Sequence, residues 1–321
     1  MNTEAYACFS KHTDSRNQSS SGGIYALLAE KVIKDNGIVF AVCYDEKFET
    51  IHKEISTLKE VVLSLGSKYT PSRLNDTFRR VKECIKEGHK VLFVGTPCQC
   101  EGLRSYINKE YENLICVDFV CHGVPSRNVW RRYLESINSD GNLTSLNMRD
   151  KSSGWSKFQY SWRFQYGENN AITIPQSQIS YMRGFISDYY LRPSCYECRF
   201  KGVERNTDIT LGDYWGVWDI QPEMDDNKGT SLVLIHSEKG KKLFNSVLPE
   251  AVSQRAILER AIQCNPSIVS SAEKSEKRKE FFEKLQSGED FEKIMDTMTR
   301  VSIGGKVKAK WKAIIEKNWN F

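Results

Sequence analysis

A chain of 321 residues, 40% apolar and 27% charged, holds enough material for one large domain or two modest ones, with the balance of a soluble globular protein. Its formal charge of +5 is too small to argue for nucleic acid and suits an anionic cofactor or an acidic partner. The amino terminus MNTEAYACFSKHTDS lacks the apolar core of a signal peptide, and no stretch approaches the roughly 18 apolar residues that span a bilayer. A cytoplasmic protein without a transmembrane segment is expected, and in that reducing setting the ten cysteines are not read as disulfides.

In chain order, the first twenty residues read as polar and lead into Ser19-Ser20-Ser21-Gly22-Gly23. Apolar Ile24, Leu27, Leu28 and Val32 predict a helix from Ile24 to about Lys34, stopped by Gly37. Residues 38–42 read as a short buried strand. A charged stretch follows, then the loop Gly66-Ser67-Lys68-Tyr69, a turn at Pro71 and an amphipathic helix from about Asn75 to Glu87. Two βα units come next. Val91–Val94 runs into Gly95-Thr96-Pro97-Cys98-Gln99 and a helix through about Ile107. Leu114–Val120 runs into Cys121-His122-Gly123-Val124-Pro125-Ser126 and a helix from about Arg127 to Ile137. Strands apolar on both faces that alternate with helices indicate a parallel sheet.

From about Leu143 to Ile174 alternating aromatics suggest antiparallel strands, with Phe158, Tyr160, Trp162 and Phe164 read as sheet packing rather than as a base-stacking platform. A cysteine-bearing loop occupies about Leu191 to Arg205, followed by a strand at Ile209–Leu211 and by a final strand and helix over 231–235 and 239–247. The remainder, from about Ser270, reads as charged and helical. The fold class expected is α/β, a parallel or mixed sheet with flanking helices, an antiparallel β insertion and a cysteine-bearing cluster loop.

The sharpest local feature is Cys195-x-x-Cys198, because two intervening residues let both sulfurs address one metal from a single turn. Loops that follow the strands of a parallel sheet emerge at one edge, so Cys98 and Cys121 can converge on the pair although they are distant in sequence. Four thiolates permit zinc or a 4Fe–4S cluster, and spacing alone does not choose. Arg199, Lys201 and Arg205 crowd the pair and would stabilise a negative cluster. Cys100 reads as the buried side of its helix, and Cys8, Cys43, Cys84, Cys116 and Cys264 as structural.

The run Ser20-Ser21-Gly22-Gly23 before a helix suits a pyrophosphate, since a helix amino terminus offers free N–H groups and glycine lets backbone approach. Lys68 adds a cation that could neutralise phosphate or a reduced flavin, and Thr96 and Gln99 could hydrogen-bond its ring. There is no G-x-G-x-x-G fingerprint. His122 reads either as a histidine bonded to backbone or as a proton donor beside the flavin.

SSSGG, GSKY, VGTPCQ, CHGVPS, the stretch from Arg149 to Trp155, LRPSCYECRFKG and DITLGDYWG occur in that order. Together they resemble the beta-subunit family of coenzyme F420 (deazaflavin) hydrogenases and dehydrogenases, to which plant 7-hydroxymethyl chlorophyll a reductase is similar. The resemblance covers about Ala5 to Asn265. It implies an iron–sulfur flavoprotein oxidoreductase carrying FAD and a 4Fe–4S cluster. Cys195 and Cys198 carry over as cluster ligands, together with Cys98 and Cys121. Ser20, Ser21, Gly22, Gly23, Ser67, Lys68, Tyr69, Thr96 and Gln99 carry over as flavin-contacting positions, and His122 is the candidate catalytic residue.

The expected division is 1–88 as an N-terminal flavin-binding segment, 89–269 as a C-terminal flavin and iron–sulfur segment of the same unit, and 270–321 as a helical basic tail. Many relatives begin with a ferredoxin-like module. This sequence has no C-x-x-C-x-x-C run ahead of Ser19, so electrons are expected from a ferredoxin or another electron-transfer subunit. Lys306, Lys308, Lys310, Lys312 and Lys317 make the tail basic, and Val307, Trp311, Ile314 and Ile315 recur near helical spacing, so it reads either as a helix packed back on the domain or as a surface that would steer such an acidic partner. The electrons then reach a small organic acceptor. The alternative is a zinc-stabilised binding or transferase protein without redox chemistry, possible in a surface-polysaccharide setting.

Overall fold

The computed structural model describes residues 3–299. Strand β1 (Glu4–Ser10) and helix α1 (Thr13–Gln18) precede α2 (Ile24–Lys34), β2 (Ile38–Tyr44), β3 (Thr50–Ile55), α3 (Leu58–Ser64) and α4 (Thr77–Lys86). The two βα units are β4 (Val91–Gly95) with α5 (Pro97–Ile107), and β5 (Leu114–Phe119) with α6 (Arg127–Ile137). A small sheet follows, β6 (Leu143–Asp150), β7 (Ser161–Tyr166) and β8 (Asn170–Pro175), then α7 (Ser180–Ile186). The chain returns through β9 (Ile209–Asp213), the single turn α8 (Val217–Ile220), β10 (Ser231–Ile235), α9 (Glu238–Val247) and β11 (Ala251–Arg255). Three helices follow, α10 (Leu258–Cys264), α11 (Arg278–Gln286) and α12 (Phe291–Thr299).

The large sheet has eight strands in the order β11-β1-β10-β9-β5-β4-β2-β3. Its centre, β9-β5-β4-β2, is parallel, and antiparallel strands extend it on both sides. The mixed α/β sheet and the separate antiparallel insertion expected from the sequence are therefore the fold observed. The central strands are apolar on both faces because both are covered. Leu28, Val32, Val39, Val117 and Phe244 fill one side. Phe40, Phe93, Cys84 and Leu103, from the side of α4 and α5, fill the other.

Three strands escape the sequence pattern. β1 lies within residues read as polar, and its Ala7 and Cys8 are fully buried between β10 and β11. The charged stretch after β2 contains β3, an outermost strand whose Lys53 and Glu54 suit an edge. β11 adds a strand beyond the one read as final.

The small sheet has its own core, in which Trp130, Trp162, Tyr181, Phe281, Phe291 and Met295 bring α6, α7, α11 and α12 together. Tyr160, Trp162 and Phe164 are buried, as packing residues should be, but Phe158 is exposed. The segments 1–88 and 89–269 both contribute strands to the one large sheet. The basic run from Lys306 to Lys317 lies outside the described residues.

What positions the functional edge is register. Gly95 pairs with Asp118 across β4 and β5, and Asp118 with Thr210 across β5 and β9. Neighbouring strands lie about 4.8 Å apart, so the loops that leave β4, β5 and β9 start side by side. Since α2 runs back antiparallel to β2, its amino terminus reaches the same edge.

A cleft of four cysteines at the carboxyl edge of the sheet

Cys98 enters this edge on the first turn of α5. Pro97 opens the helix at a position where a missing N–H costs nothing. Thr96 caps it, and a reciprocal box forms as the Thr96 N–H donates to Gln99 Oε1 at 3.0 Å. The Thr96 hydroxyl lies 3.1 Å from Cys98 Sγ, and the thiol is exposed.

Cys121 follows β5, where the Val120 N–H still reaches Leu211 O at 2.8 Å. Lys201 Nζ donates to Cys121 O and, at 2.9 Å, to Ser267 O, which ties the cysteine loop to the strand end. The loop carrying Cys195 and Cys198 runs alongside residues 121–126. Arg192 N–H donates to Val124 O and Ser126 N–H to Tyr190 O, each at 2.8 Å. Gly123 permits this approach: a Cβ there would stand 2.6 Å from Leu191 Cδ1. The glycine of the CHGVP turn is thus required by the neighbouring cysteine loop rather than by its own dihedral angles.

As a result Cys98, Cys121, Cys195 and Cys198 line one half-open cleft. Val124 N–H points at Cys195 Sγ over 3.3 Å. His122, Lys201 and Arg205 complete its polar lining. Burial pushes the Cys121 thiol up to about 12, with Lys201 acting against the rise. Burial also raises Cys195, opposed by the Val124 N–H. Lys201 is itself lowered by burial and held back by Cys121 and Cys198. Arg205 is anchored behind the cleft by buried Asp118 at 3.1 Å. Among the described residues, no three His, Cys, Asp or Glu side chains are gathered closely enough to hold one metal ion. Cys8, Cys43, Cys84, Cys100 and Cys116 are buried in the cores, whereas Cys264 is exposed.

His122 is partnered by a side chain, not by backbone. Its Nε2 lies 2.7 Å from Asp188 Oδ1, its Nδ1 is 3.5 Å from Ser267 Oγ, and its ring rests against Phe185 at 5.1 Å between centroids.

The positions assigned to flavin gather at the same edge, with their polar atoms already engaged. Ser20 Oγ meets Ser67 Oγ at 2.7 Å, so the SSSGG and GSKY loops touch. Ser21 Oγ donates to Thr230 O and Gly22 N–H to Ser231 Oγ. A Cβ on Gly22 would collide with the Cys8 carbonyl, and Gly23 caps α2 at φ 82. Lys68 Nζ donates to the carbonyls of Ser64, Leu65 and Gly66 at 3.3, 3.0 and 3.1 Å, closing the end of α3. Its burial lowers its pKa to about 8. Gln99 Nε2 donates to Ser72 Oγ at 2.9 Å.

Sequence reasoning missed what clamps these loops. Arg149, 2% exposed, pairs with Asp213 at 2.9 and 3.1 Å and donates to the Tyr69 hydroxyl and to Ser20 O, each at 2.9 Å. Lys151 Nζ donates to the carbonyls of Arg16, Ser21 and Lys228, and burial beside Arg16 and Arg149 lowers it to about 7. Two cations inside an aromatic β segment were the available signal.

A family model for the carboxyl-terminal part of the coenzyme F420 hydrogenase/dehydrogenase beta subunit matches residues 88–259, more than half of the chain. Among solved structures, a chain of the F420-reducing NiFe hydrogenase complex from Methanosarcina barkeri is similar. Its TM-score is 0.55 at 15% identity, over 83% of this chain and 88% of that one, a likeness of fold. Among curated proteins none matches the sequence. No helix among the described residues is long and apolar enough to cross a membrane.

Proposed function

The chain belongs to the coenzyme F420 hydrogenase/dehydrogenase beta-subunit family, and on that premise we propose that it is a cytoplasmic electron-transferring oxidoreductase in which Cys98, Cys121, Cys195 and Cys198 hold a 4Fe–4S cluster. The observation that carries this reading is the meeting of these thiols around one cleft. An all-sulfur donor set suits zinc or iron–sulfur. The sulfur donors alone admit either, and what supports the cluster here is the family to which the chain belongs.

When bound, a 4Fe–4S cluster carries one electron at a time. The chain's own residues prepare the site. Lys201 and Arg205 offset the negative charge of four thiolates. The Val124 N–H stabilises the Cys195 sulfur as an anion and tunes its potential. Because burial holds Cys121 and Cys195 as thiols, loading the site releases their protons.

FAD is the second cofactor of this reading, along Ser20–Gly23, Ser67–Tyr69 and Thr96–Gln99, shared between 1–88 and 89–269. Its support is that these segments meet at the edge that carries the cleft. In this conformation their polar atoms are bonded within the protein, so no step is assigned to the flavin. His122 is the proton donor, with Nε2 held by Asp188 and Nδ1 the atom with capacity to spare. Electrons come from a ferredoxin or another electron-transfer subunit and leave to a small organic acceptor.

The test is one anaerobic preparation of the full chain, with iron, acid-labile sulfide, zinc and flavin assayed together. About four iron and four sulfide per chain are expected. A colourless, zinc-loaded protein would overturn the reading in favour of a zinc-stabilised protein without redox chemistry.

A further inference from the structure

Asp118 is a fully buried carboxylate near the end of β5, and no step of the proposed chemistry uses it. Its Oδ2 accepts from Arg205 Nη1 at 3.1 Å, and Arg205 lines the cleft. Its Oδ1 accepts from the Thr210 hydroxyl. A buried ion pair is by itself a structural feature, but the hydrogen bonds continue past Thr210. Thr210 Oγ1 lies 2.8 Å from His236 Nε2, and His236 Nδ1 lies 3.3 Å from Thr3 Oγ1. Asp118 and Thr210 are fully buried, whereas His236 and Thr3 are partly exposed. An unbroken chain of polar groups therefore runs from solvent to the carboxylate behind the cleft.

The number of hydrogens fixes the direction of this chain. The Thr210 hydroxyl has one, and giving it to Asp118 obliges His236 to donate from Nε2. Neutral His236 then accepts at Nδ1, the atom that faces Thr3. A proton that arrives at Nδ1 releases the Nε2 proton to Thr210, and Thr210 passes its own to Asp118. The acid so formed has an acceptor waiting: Thr207 Oγ1, beside the same carboxyl, is buried without a hydrogen-bond partner. Burial raises the pKa of Asp118 against the pull of Arg205. Burial and Arg205 together hold His236 down at about 4, so near neutral pH it passes protons on rather than keeping them. Besides Arg205 and the two threonines, the buried Cys100 thiol faces Asp118.

We propose that Thr3, His236 and Thr210 form a proton relay to Asp118, and that Asp118 takes up a proton when an electron enters the cleft. The coupling to the electron rests on the cluster reading above; the relay does not. The balance is one electron from the electron-transfer partner and one proton from solvent. The electron stays in the cleft, and the proton converts the Asp118 carboxylate to the acid. Arg205 thereby loses its counter-charge, and its whole positive charge is left to offset the electron. Asp118 is thus a positioning residue that acts on the cleft through Arg205.

The test uses the full chain, purified anaerobically with its cofactors in place, and follows the midpoint potential of the iron–sulfur signal against pH. The added electron raises the pKa of Asp118 further, so between its values in the two states the wild-type potential should fall as pH rises. The limit is tenfold in equilibrium constant per pH unit, about 59 mV for one electron. Asp118→Asn should flatten that slope. Thr210→Val keeps the shape and Asp118 but cuts the relay. It should preserve the slope and slow proton uptake, read with an indicator dye after photochemical reduction, about a hundredfold, the low end of what a placed proton-transfer group contributes. Thr210→Ser should restore the rate. A wild-type potential independent of pH overturns the proposal, as does a slope that survives Asp118→Asn or an uptake rate unmoved by Thr210→Val. Where Asp118→Asn fails to fold, the two Thr210 variants decide. Iron and sulfide are assayed on the same samples. A chain without iron removes the electron-transfer reading, and the relay is then read alone, from the rate at which the carboxylic-acid infrared band of Asp118 grows after a drop in pH. Slower growth in Thr210→Val upholds the relay, and equal growth overturns it.

Discussion

The cysteine cleft and the junction of the Ser20 and Ser67 loops share one edge of one sheet, yet they dispose of their chemistry in opposite ways. In the cleft the fold consumes backbone atoms, through Arg192, Val124, Ser126 and Tyr190, and engages the thiols only lightly, Cys98 by the Thr96 hydroxyl and Cys195 by the Val124 N–H. At the loop junction the side chains are the structural task. Ser20 holds Ser67, Gly22 lets the loop pack on β1, Lys68 closes α3, and Thr96 with Gln99 caps α5. The contrast teaches how to weigh a motif. Residue types that the fold itself demands say little about a ligand, whereas like groups brought together with little structural work say a great deal.

The harshest way to break this comparison is at the thiols. Cys195→Ser or Cys198→Ser should abolish iron binding, and Cys98→Ser and Cys121→Ser should behave alike, since thiolate ligation couples metal binding to folding. Cys100→Ser is the control. Its sulfur is buried 3.6 Å from Val117 O, away from the cleft, and iron per chain should be unchanged. Iron retained in the Cys195/Cys198 double variant would remove the assignment.

Arg149→Met attacks the other region. Breaking a buried ion pair by removing one partner costs about 3–5 kcal/mol, so urea unfolding should shift by that amount. Iron per folded chain should stay constant while flavin falls, because Arg149 holds Ser20 and Tyr69 rather than any cysteine. Simultaneous loss of iron would show that the two regions are one cooperative site.

The smallest effect is expected at Lys68. Lys68→Met removes three hydrogen bonds from the end of α3 and should cost about 1–2 kcal/mol of stability, with flavin affinity falling by a similar amount. A stability loss with flavin affinity unchanged would leave Lys68 as a helix-end cap alone.

Much of this edge was legible because the central strands are apolar on both faces and end in recognisable turns. Helices α2 and α6 and strand β10 fall where periodicity places them. The edge strands were less visible. β3 carries Lys53 and Glu54 because an outer strand tolerates charge, and that hides the strand in a charged stretch. The convergence of Cys98 and Cys121 on Cys195 and Cys198 followed from the sheet rule. The Asp188 partner of His122 did not, since a contact between residues 66 apart has no local trace. Phe158 was misplaced for a related reason: its spacing from Tyr160 and Trp162 fits an inward strand position, and only the left-handed turn sends it outward.

The register that sets β4, β5 and β9 side by side also has a consequence for biogenesis. Cys98 and Cys198 stand a hundred residues apart, and the last cysteine of the cleft is made only after the whole small sheet has been synthesised. A ligand set closed over so long a loop cannot be completed by a nascent fragment, and it gains much from the sheet having already drawn the loops together. On the proposed ligand set, insertion of a metal group would be a late step of maturation, and a chain interrupted before Cys195 would carry only Cys98 and Cys121 of the four cleft thiols.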